Sequence, residues 1–239
     1  LIVADTYNHR VLFFNTPVVA TDPVAIRVTG QPNFSSSTFN QNGTGMYYPQ
    51  HAFSDGTRMF VAEISNHRVS VFNTIPGTDG ASATFAIGQL GSGNGFMSYA
   101  TNNAHTTGVG MSLTATAFGP GTMNYLPTTS VAAGGKLYAV DRGHNRIMVW
   151  NSENPVSGSA ANFFLGQGSF SSDIYATNST GLGYPSGVSS QGSQLFVADT
   201  GNNRVLIWNA LPTSNSAASI VVGQSLFTSA TFATSANGL

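Results

Sequence analysis

Four segments of the chain repeat one another without gaps, and this repetition constrains the fold more than any other feature of the sequence. Each segment contains an acid, an arginine five residues later, and an aromatic residue that is followed by asparagine. The interval between successive acids is the same at the first and last steps but longer at the middle step, and a Gly-Gln pair follows each acid at a nearly constant distance. The segments are Leu1 to Asn15, Met59 to Asn73, Leu137 to Asn151 and Leu195 to Asn209.

Short apolar and β-branched runs within each repeat are separated by Gly, Pro, Asn and Ser, which predicts strands joined by tight turns. In the last repeat we expect strands at about Ser186 to Ser190, Gln194 to Asp199, Arg204 to Trp208 and Ala218 to Gly223. No apolar period of 3.6 residues persists long enough to predict a helix. Four antiparallel strands per repeat, joined head to tail, predict an all-β chain built of β-propeller blades.

An insertion explains the long middle interval. The stretch from the Gln of a Gly-Gln pair to the next repeat's proline has the same length in Gln31–Pro49 and in Gln167–Pro185, but it is more than twice as long in Gln89–Pro127. About twenty extra residues therefore lie within 90–126, and the richness of this stretch in Gly, Ser, Thr and Asn predicts a surface loop. Apart from this loop we expect residues 1–239 to form one propeller domain. In the repeat register it starts one strand into a blade and stops one strand short of the next.

The segments Asp5 to Arg10 and Glu63 to Arg68 have the patterns Asp-x-x-Asn-His-Arg and Glu-x-x-Asn-His-Arg. These patterns resemble NHL repeats, and the resemblance covers nearly the whole chain. The Gly-Gln pairs and the segment Trp208 to Pro212 resemble the bacterial secreted or surface-attached branch of that family. The resemblance implies a six-bladed propeller that binds partners, so the four repeats would be part of a larger ring. Some relatives, the peptidyl-amidoglycolate lyases, are enzymes, but their cysteines are absent from this chain.

The acid and the arginine of each repeat are expected to face each other across a hairpin and to hold the blade together. A carboxylate in that place accepts turn N–H groups and an arginine fork at once. The histidines of the same hairpins receive the same structural interpretation, because the last repeat has Asn202 and Asn203 there. The four structural pairs are Asp5–Arg10, Glu63–Arg68, Asp141–Arg146 and Asp199–Arg204.

Candidate binding residues are those that the repeat pattern does not explain. His51 lies two residues after Pro49, where other repeats have Thr129 and Gly187, and the strand there lines the central channel of a propeller. In the insertion, apolar side chains are expected to serve as anchors for a partner. These anchors are Phe96, Met97, Tyr99 and Met111.

The composition excludes several classes of function. Charged residues form 7% of the chain, and 8 basic against 9 acidic side chains give a net charge of −1. Nucleic acids and anionic membrane surfaces both require a cationic face, so neither is an expected partner. No apolar run approaches the roughly 18 residues of a membrane span. The absence of Cys excludes disulfides, thiolate metal sites and Cys nucleophiles, and we expect no cofactor.

The sequence therefore favours a non-enzymatic propeller, extracellular, at the cell surface or in the periplasm, that binds a protein or a glycan or acts as a scaffold. One alternative is a metal-dependent lyase or lactonase-like enzyme with its site at the channel mouth, for which His51 and Glu63 are the ligands that the sequence offers. A second alternative is a structural subunit of a filament or layer. Two arrangements are alternatives to part of a larger ring. One is a four-bladed ring that lacks one strand, and in the other a strand donated by a neighbouring copy completes an open blade and gives a homo-oligomer.

Overall fold

A computed structural model describes residues 1–88, 129–156, 159–170, 172–234 and 238–239, and it contains fifteen β-strands in four antiparallel sheets. The strands follow chain order within every sheet. In these ranges the helical segments are the 3-10 turns Thr6–Asn8, Arg142–His144 and Thr200–Asn202, and none of them has the length to cross a membrane. The prediction of an all-β chain with propeller-like blades is confirmed.

The first sheet has three strands and the other sheets have four. The first sheet contains β1 (Ile2–Asp5), β2 (Arg10–Phe13) and β3 (Arg27–Thr29). The second contains β4 (Pro49–Ser54), β5 (Met59–Glu63), β6 (Arg68–Phe72) and β7 (Phe85–Ile87). The third contains β8 (Ser130–Ala133), β9 (Lys136–Asp141), β10 (Arg146–Trp150) and β11 (Phe163–Leu165). The fourth contains β12 (Gly187–Gln191), β13 (Gln194–Asp199), β14 (Arg204–Trp208) and β15 (Ile220–Val222), close to the strands predicted for it.

The acid of each repeat ends one strand, the arginine begins the next, and the two are direct cross-strand partners. The turn between them ends in a residue with left-handed backbone, a conformation in which Asn and His are enriched. The φ angles are 55° at His9, 49° at His67, 52° at Asn145 and 52° at Asn203. The left-handed backbone of the hairpin therefore explains why this position is His in two repeats and Asn in the other two.

Apolar side chains fill three cores, and each core lies between two successive sheets. Phe60 of the second sheet and Trp150 of the third are buried in one of them, and Tyr138 of the third sheet and Trp208 of the fourth in another. The sheets also contact through their first strands, β1 with β4, β4 with β8, and β8 with β12. Blades of a propeller pack in this way.

One end of the sheets carries two kinds of loop. Consecutive strands of each sheet run in opposite directions, so the acid-to-arginine turns lie at the same end as the segments that link one sheet to the next. We call this end the loop face and define it by turns 6–9, 64–67, 142–145 and 200–203 and by linking segments 30–48 and 166–186. The predicted insertion at 90–126 falls outside the described residues, as do Phe96, Met97, Tyr99 and Met111, so their roles stay predictions.

Candidate functional site

The arginines of the repeats hold the loop face together. Arg204 Nε donates to Asp199 Oδ2 at 2.7 Å, and its Nη2 donates to the carbonyls of Asn178 and Gly181 at 2.9 and 3.1 Å. Its Nη1 donates to the carbonyl of Phe227, in the segment that follows the same sheet. One guanidinium thus joins its own hairpin to the loops before and after it.

The carboxylates of the pairs are also fully engaged by the protein. Asp199 Oδ1 accepts the amide N–H of Gly183 at 2.6 Å, and Oδ2 accepts from Asn202 Nδ2 at 2.8 Å as well as from Arg204. Burial raises the pKa of Asp199, whereas these hydrogen bonds favour its charged form. In the second repeat, Glu63 accepts from the amide of Tyr47 at 3.1 Å. The acids and arginines face backbone and each other.

The position three residues after each acid supplies another donor to the carboxylate. Asn8 Nδ2 lies 3.0 Å from Asp5 Oδ1, and the same contact occurs in the second and fourth repeats. In the third repeat His144 Nδ1 lies 3.0 Å from Asp141 Oδ2 and takes the place of the amide nitrogen. His144 is therefore bonded within its hairpin, like the asparagines at the same position.

In the three Gly-Gln pairs that the structure describes in full, the glutamine connects the turn of its repeat to the linking segment that follows. Gln167 Nε2 donates to the carbonyls of Asn145 at 2.9 Å and Ile174 at 2.8 Å. Gln31 and Gln224 make the same two contacts in their own repeats. This repeated contact gives the glutamine a structural role.

His51 lies on β4, the strand of the second sheet that contacts β1 and β8. The register shifts between Pro49 and His51, and the His51 Nδ1 atom is buried without a hydrogen bond from the described residues. Burial lowers the pKa of His51. The described part of the chain contains no group of three His, Cys, Asp or Glu side chains that could hold a metal ion.

A cluster of aromatic side chains lies on the loop face between the first and second sheets. Phe39 and Tyr47 are stacked with ring centroids 4.5 Å apart, and Tyr47 and Tyr48 are stacked at 5.1 Å. Tyr7 contacts Tyr48 edge-on at 5.8 Å. Tyr7 is 72% exposed and Phe39 is 53% exposed. We call Tyr7, Phe39, Tyr47 and Tyr48 the aromatic platform.

The third repeat shows that the fold does not require two of the four platform side chains, Tyr7 and Tyr47. Gly143 and Gly183 occupy the positions of Tyr7 and Tyr47 there, at the same distances from the acid of the repeat. Tyr175 occupies the position of Phe39, but its hydroxyl donates to the carbonyl of Gly201. The sequence interpretation missed the platform because Phe39 and Tyr47 lie outside the four segments that repeat without gaps. Extending the repeat register through the linking segments would have revealed them.

His9 packs against three rings of the platform and binds the backbone of one of them, Tyr48. Its Nδ1 accepts the amide N–H of Tyr48 at 3.3 Å, and its ring contacts Phe39, Tyr47 and Tyr48 edge-on. In the third repeat, Asn145 Oδ1 accepts the equivalent amide of Tyr184 at 2.7 Å. Burial lowers the pKa of His9, which favours the neutral imidazole that this contact needs.

A scan against protein-family models finds no match to the chain, and a search of the curated proteins finds none. The NHL-repeat family therefore stays a prediction from the motifs. Among solved structures, the chain is similar to the crystal structure of a proposed 6-phosphogluconolactonase from Bacteroides uniformis ATCC 8492, with 14% identity and a TM-score of 0.45. The match covers 88% of this chain and 48% of the other, so this chain spans about half the length of that protein. So distant a likeness transfers no activity, and the propeller-like arrangement is argued from the four sheets themselves.

Proposed function

We propose that this chain is a non-enzymatic binding module whose aromatic platform binds a glycan. The observation that carries the proposal is the platform itself, with two strongly exposed rings, Tyr7 and Phe39, on two stacked tyrosines. Exposed apolar clusters mark interaction sites, since a fold gains nothing from leaving them in water. Within this molecule the third repeat builds the same hairpin and linking segment with glycines at two of the four positions.

The surroundings of the platform favour a sugar over an apolar protein surface. The C–H face of a sugar ring packs on an aromatic ring by dispersion and loss of water, and its hydroxyl groups need hydrogen-bond partners at the edge. Asn8, Thr38, Asn40 and Thr44 border the platform along the chain and supply amide and hydroxyl groups. Because the chain has a net charge of −1 and a single lysine, we propose a neutral glycan.

The location that fits this function is extracellular, at the cell surface or in the periplasm, where neutral polysaccharides are accessible. The low charge and the richness in Ser, Thr and Asn support this placement. Completion of the first sheet by a strand from a neighbouring copy, added beside β1, stays part of the proposal. Light scattering at micromolar concentration tests it, and a monomer would contradict it.

The test of glycan binding is titration calorimetry of the full chain with cellohexaose, mannohexaose and chitohexaose. We expect one of these neutral oligosaccharides to bind, and Phe39→Ala to weaken its binding at least tenfold, because one stacked sugar loses its ring partner. The matched control is Tyr175→Ala, which changes the equivalent position of the third repeat and should leave the affinity unchanged. Absence of binding by all three oligosaccharides, or equal losses in both variants, would contradict the proposal.

The enzyme alternative has its own test. His51 is the candidate for a site on the first strands, where its buried Nδ1 lacks a partner among the described residues. Elemental analysis of the purified chain measures whether zinc or calcium is present. A stoichiometric metal that is lost on His51→Ala would favour the metal-dependent enzyme over the binding module.

A further inference from the structure

A polar cleft adjoins the aromatic platform on the other side of the segment 38–40. Its volume is about 510 Å³, and its lining includes Gln31, Thr38, Asn40 and Asp79. Thr38 and Asn40 line the cleft, whereas Phe39 between them belongs to the platform and stacks on Tyr47. One short extended segment therefore separates the two sites, and a ligand that lies across it reaches both.

Gln31 offers the cleft a fixed and open hydrogen-bond acceptor. The residue is only 2% exposed, and its Nε2 is held by the carbonyls of His9 at 3.1 Å and Thr38 at 2.8 Å. Its Oε1 accepts no hydrogen bond from any residue that the structure describes. In the third repeat the same atom of Gln167 accepts from the Ser172 hydroxyl at 2.8 Å and from the Ile174 amide at 3.0 Å. Gln31 Oε1 is therefore free to accept a hydrogen bond from a ligand in the cleft, whereas the same atom of Gln167 is already occupied by the protein.

Asp79 brings a carboxylate to the same cleft. Its Oδ1 accepts the amide N–H of Val28 at 3.0 Å, and within the described ranges its Oδ2 accepts nothing. The equivalent residue beside the third repeat is Asn215, whose Nδ2 donates to the carbonyl of Gln167 at 2.7 Å. The first cleft thus has two acceptor oxygens in places where its counterpart is closed by internal hydrogen bonds.

Two more lining positions are polar in the first repeat but apolar in the third. Ile174 and Ala176 stand at the positions of Thr38 and Asn40 in the third repeat. Both linking segments nevertheless fold alike, since Gly30 bridges Gly45 in the first and Gly166 bridges Gly181 in the third. The fold is therefore compatible with apolar side chains at both positions. The polar groups of Thr38 and Asn40 are not needed for folding and can bind a ligand.

We propose that the cleft is a subsite for the sugar residue next to the one stacked on the platform. Gln31 Oε1 and Asp79 Oδ2 accept hydrogen bonds from neighbouring hydroxyl groups of that sugar, and Thr38 and Asn40 donate to its oxygens. Two acceptor oxygens on one side of the cleft select a ligand that carries several hydrogen-bond donors, and a hydrogen bond to the ionised carboxylate of Asp79 is stronger than one to a neutral acceptor. This inference depends on the proposed function, because the platform supplies the first sugar.

The test compares sugars of one and two residues. Calorimetry of the full chain with glucose and cellobiose, mannose and mannobiose, and N-acetylglucosamine and chitobiose should show one disaccharide binding about tenfold more tightly than its monosaccharide. Asp79→Asn copies Asn215, and its side-chain oxygen is expected to keep the contact with Val28. It should remove that tenfold gain and leave the monosaccharide affinity unchanged. Asp22→Asn, which makes the same change at an exposed carboxylate outside the cleft lining, is the control and should bind as the unmodified chain does.

The outcomes separate the two proposals. If Phe39→Ala weakens both sugars and Asp79→Asn weakens neither, the subsite is refuted while the platform stands. If no sugar of either length binds, the proposed function falls together with the subsite. Titration with calcium chloride alone is the third arm, and calcium binding that Asp79→Asn abolishes would overturn the assignment of the cleft to a sugar.

Discussion

Replacing Asp199 with alanine should destabilise the chain far more than replacing Asp5, although both are the acid of their repeat. The side chains of Asp199 and Arg204 are both 0% exposed, whereas those of Asp5 and Arg10 are 24% and 16% exposed. Asp199 accepts hydrogen bonds from Gly183, Asn202 and Arg204, and its removal leaves the Gly183 N–H and the Arg204 Nε–H buried without this acceptor.

The expected magnitudes follow from this difference in burial. Removing one partner of a buried ion pair costs about 3–5 kcal/mol, chiefly because the other charge stays buried. At the first repeat water replaces the lost contacts, so Asp5→Ala should cost about 1 kcal/mol or less. The two substitutions remove the same group from the same position of the repeat. The difference between them therefore measures the effect of burial.

Urea unfolding measures both free energies. Trp150 and Trp208 are buried in the cores of the third and fourth sheets, so their fluorescence reports unfolding there, and circular dichroism reports the loss of strands in the whole chain. Each variant should have the native strand content in water, and the midpoints are compared at equal slope. Equal losses of stability in Asp199→Ala and Asp5→Ala would refute the reasoning that burial decides the strength of these pairs.

Three further predictions concern the loop face. Burial lowers the pKa of His9 below its ordinary value of 6.5, so the imidazole binds a proton more readily in the unfolded chain than in the folded one. The contribution of His9 to the free energy of unfolding is therefore complete above pH 6.5 and is lost as the pH falls below that value. His9→Asn should therefore flatten the decline of the melting temperature between about pH 7 and pH 5, and an unchanged slope would contradict this. Gln167→Ala should cost about 1–3 kcal/mol in urea unfolding, because two carbonyls lose their donor, and Gln224→Ala should cost less, since its contacts are more exposed. Gly166→Ala should also lower the urea midpoint, because φ is +100° there and a Cβ would lie 2.6 Å from Leu182 Cδ1, and a variant as stable as the original would show that this turn adapts.

The repeat pattern was sufficient to predict the strands. In the fourth sheet the strands Gln194–Asp199 and Arg204–Trp208 begin and end where the apolar runs do. Their alternating side chains are buried between sheets, so the pattern in the sequence directly records the packing. The outer strand Ile220–Val222 is shorter than its predicted range, because its hydrogen bonds to β14 extend over three residues.

The repeat pattern was not sufficient to predict the conformation of the linking segments. Each linking segment folds by contacts to distant residues, such as the bond from Arg68 to the carbonyl of Gln41, 27 positions earlier. Spacing alone does not reveal which carbonyl an arginine reaches. Arg58, which binds both Asp55 and Glu153, shows the same limit, because Asp55 and Glu153 are unpaired in the repeat pattern. Tyr7 was within the repeated core, but its exposure became informative only when Phe39 and Tyr47 were found beside it.

The reach of the arginines has a consequence for how such a chain changes in length. Arg68 binds the carbonyls of Asn42 and Gly45, which lie 26 and 23 positions before it, and Arg204 binds those of Asn178 and Gly181 at the same two separations. Both of these junctions are made by the same groups, a guanidinium on one unit and two carbonyls on the segment before it. A duplication or loss of one whole unit in the gene therefore joins ends that already fit each other, and the number of units can change without any new contact having to evolve.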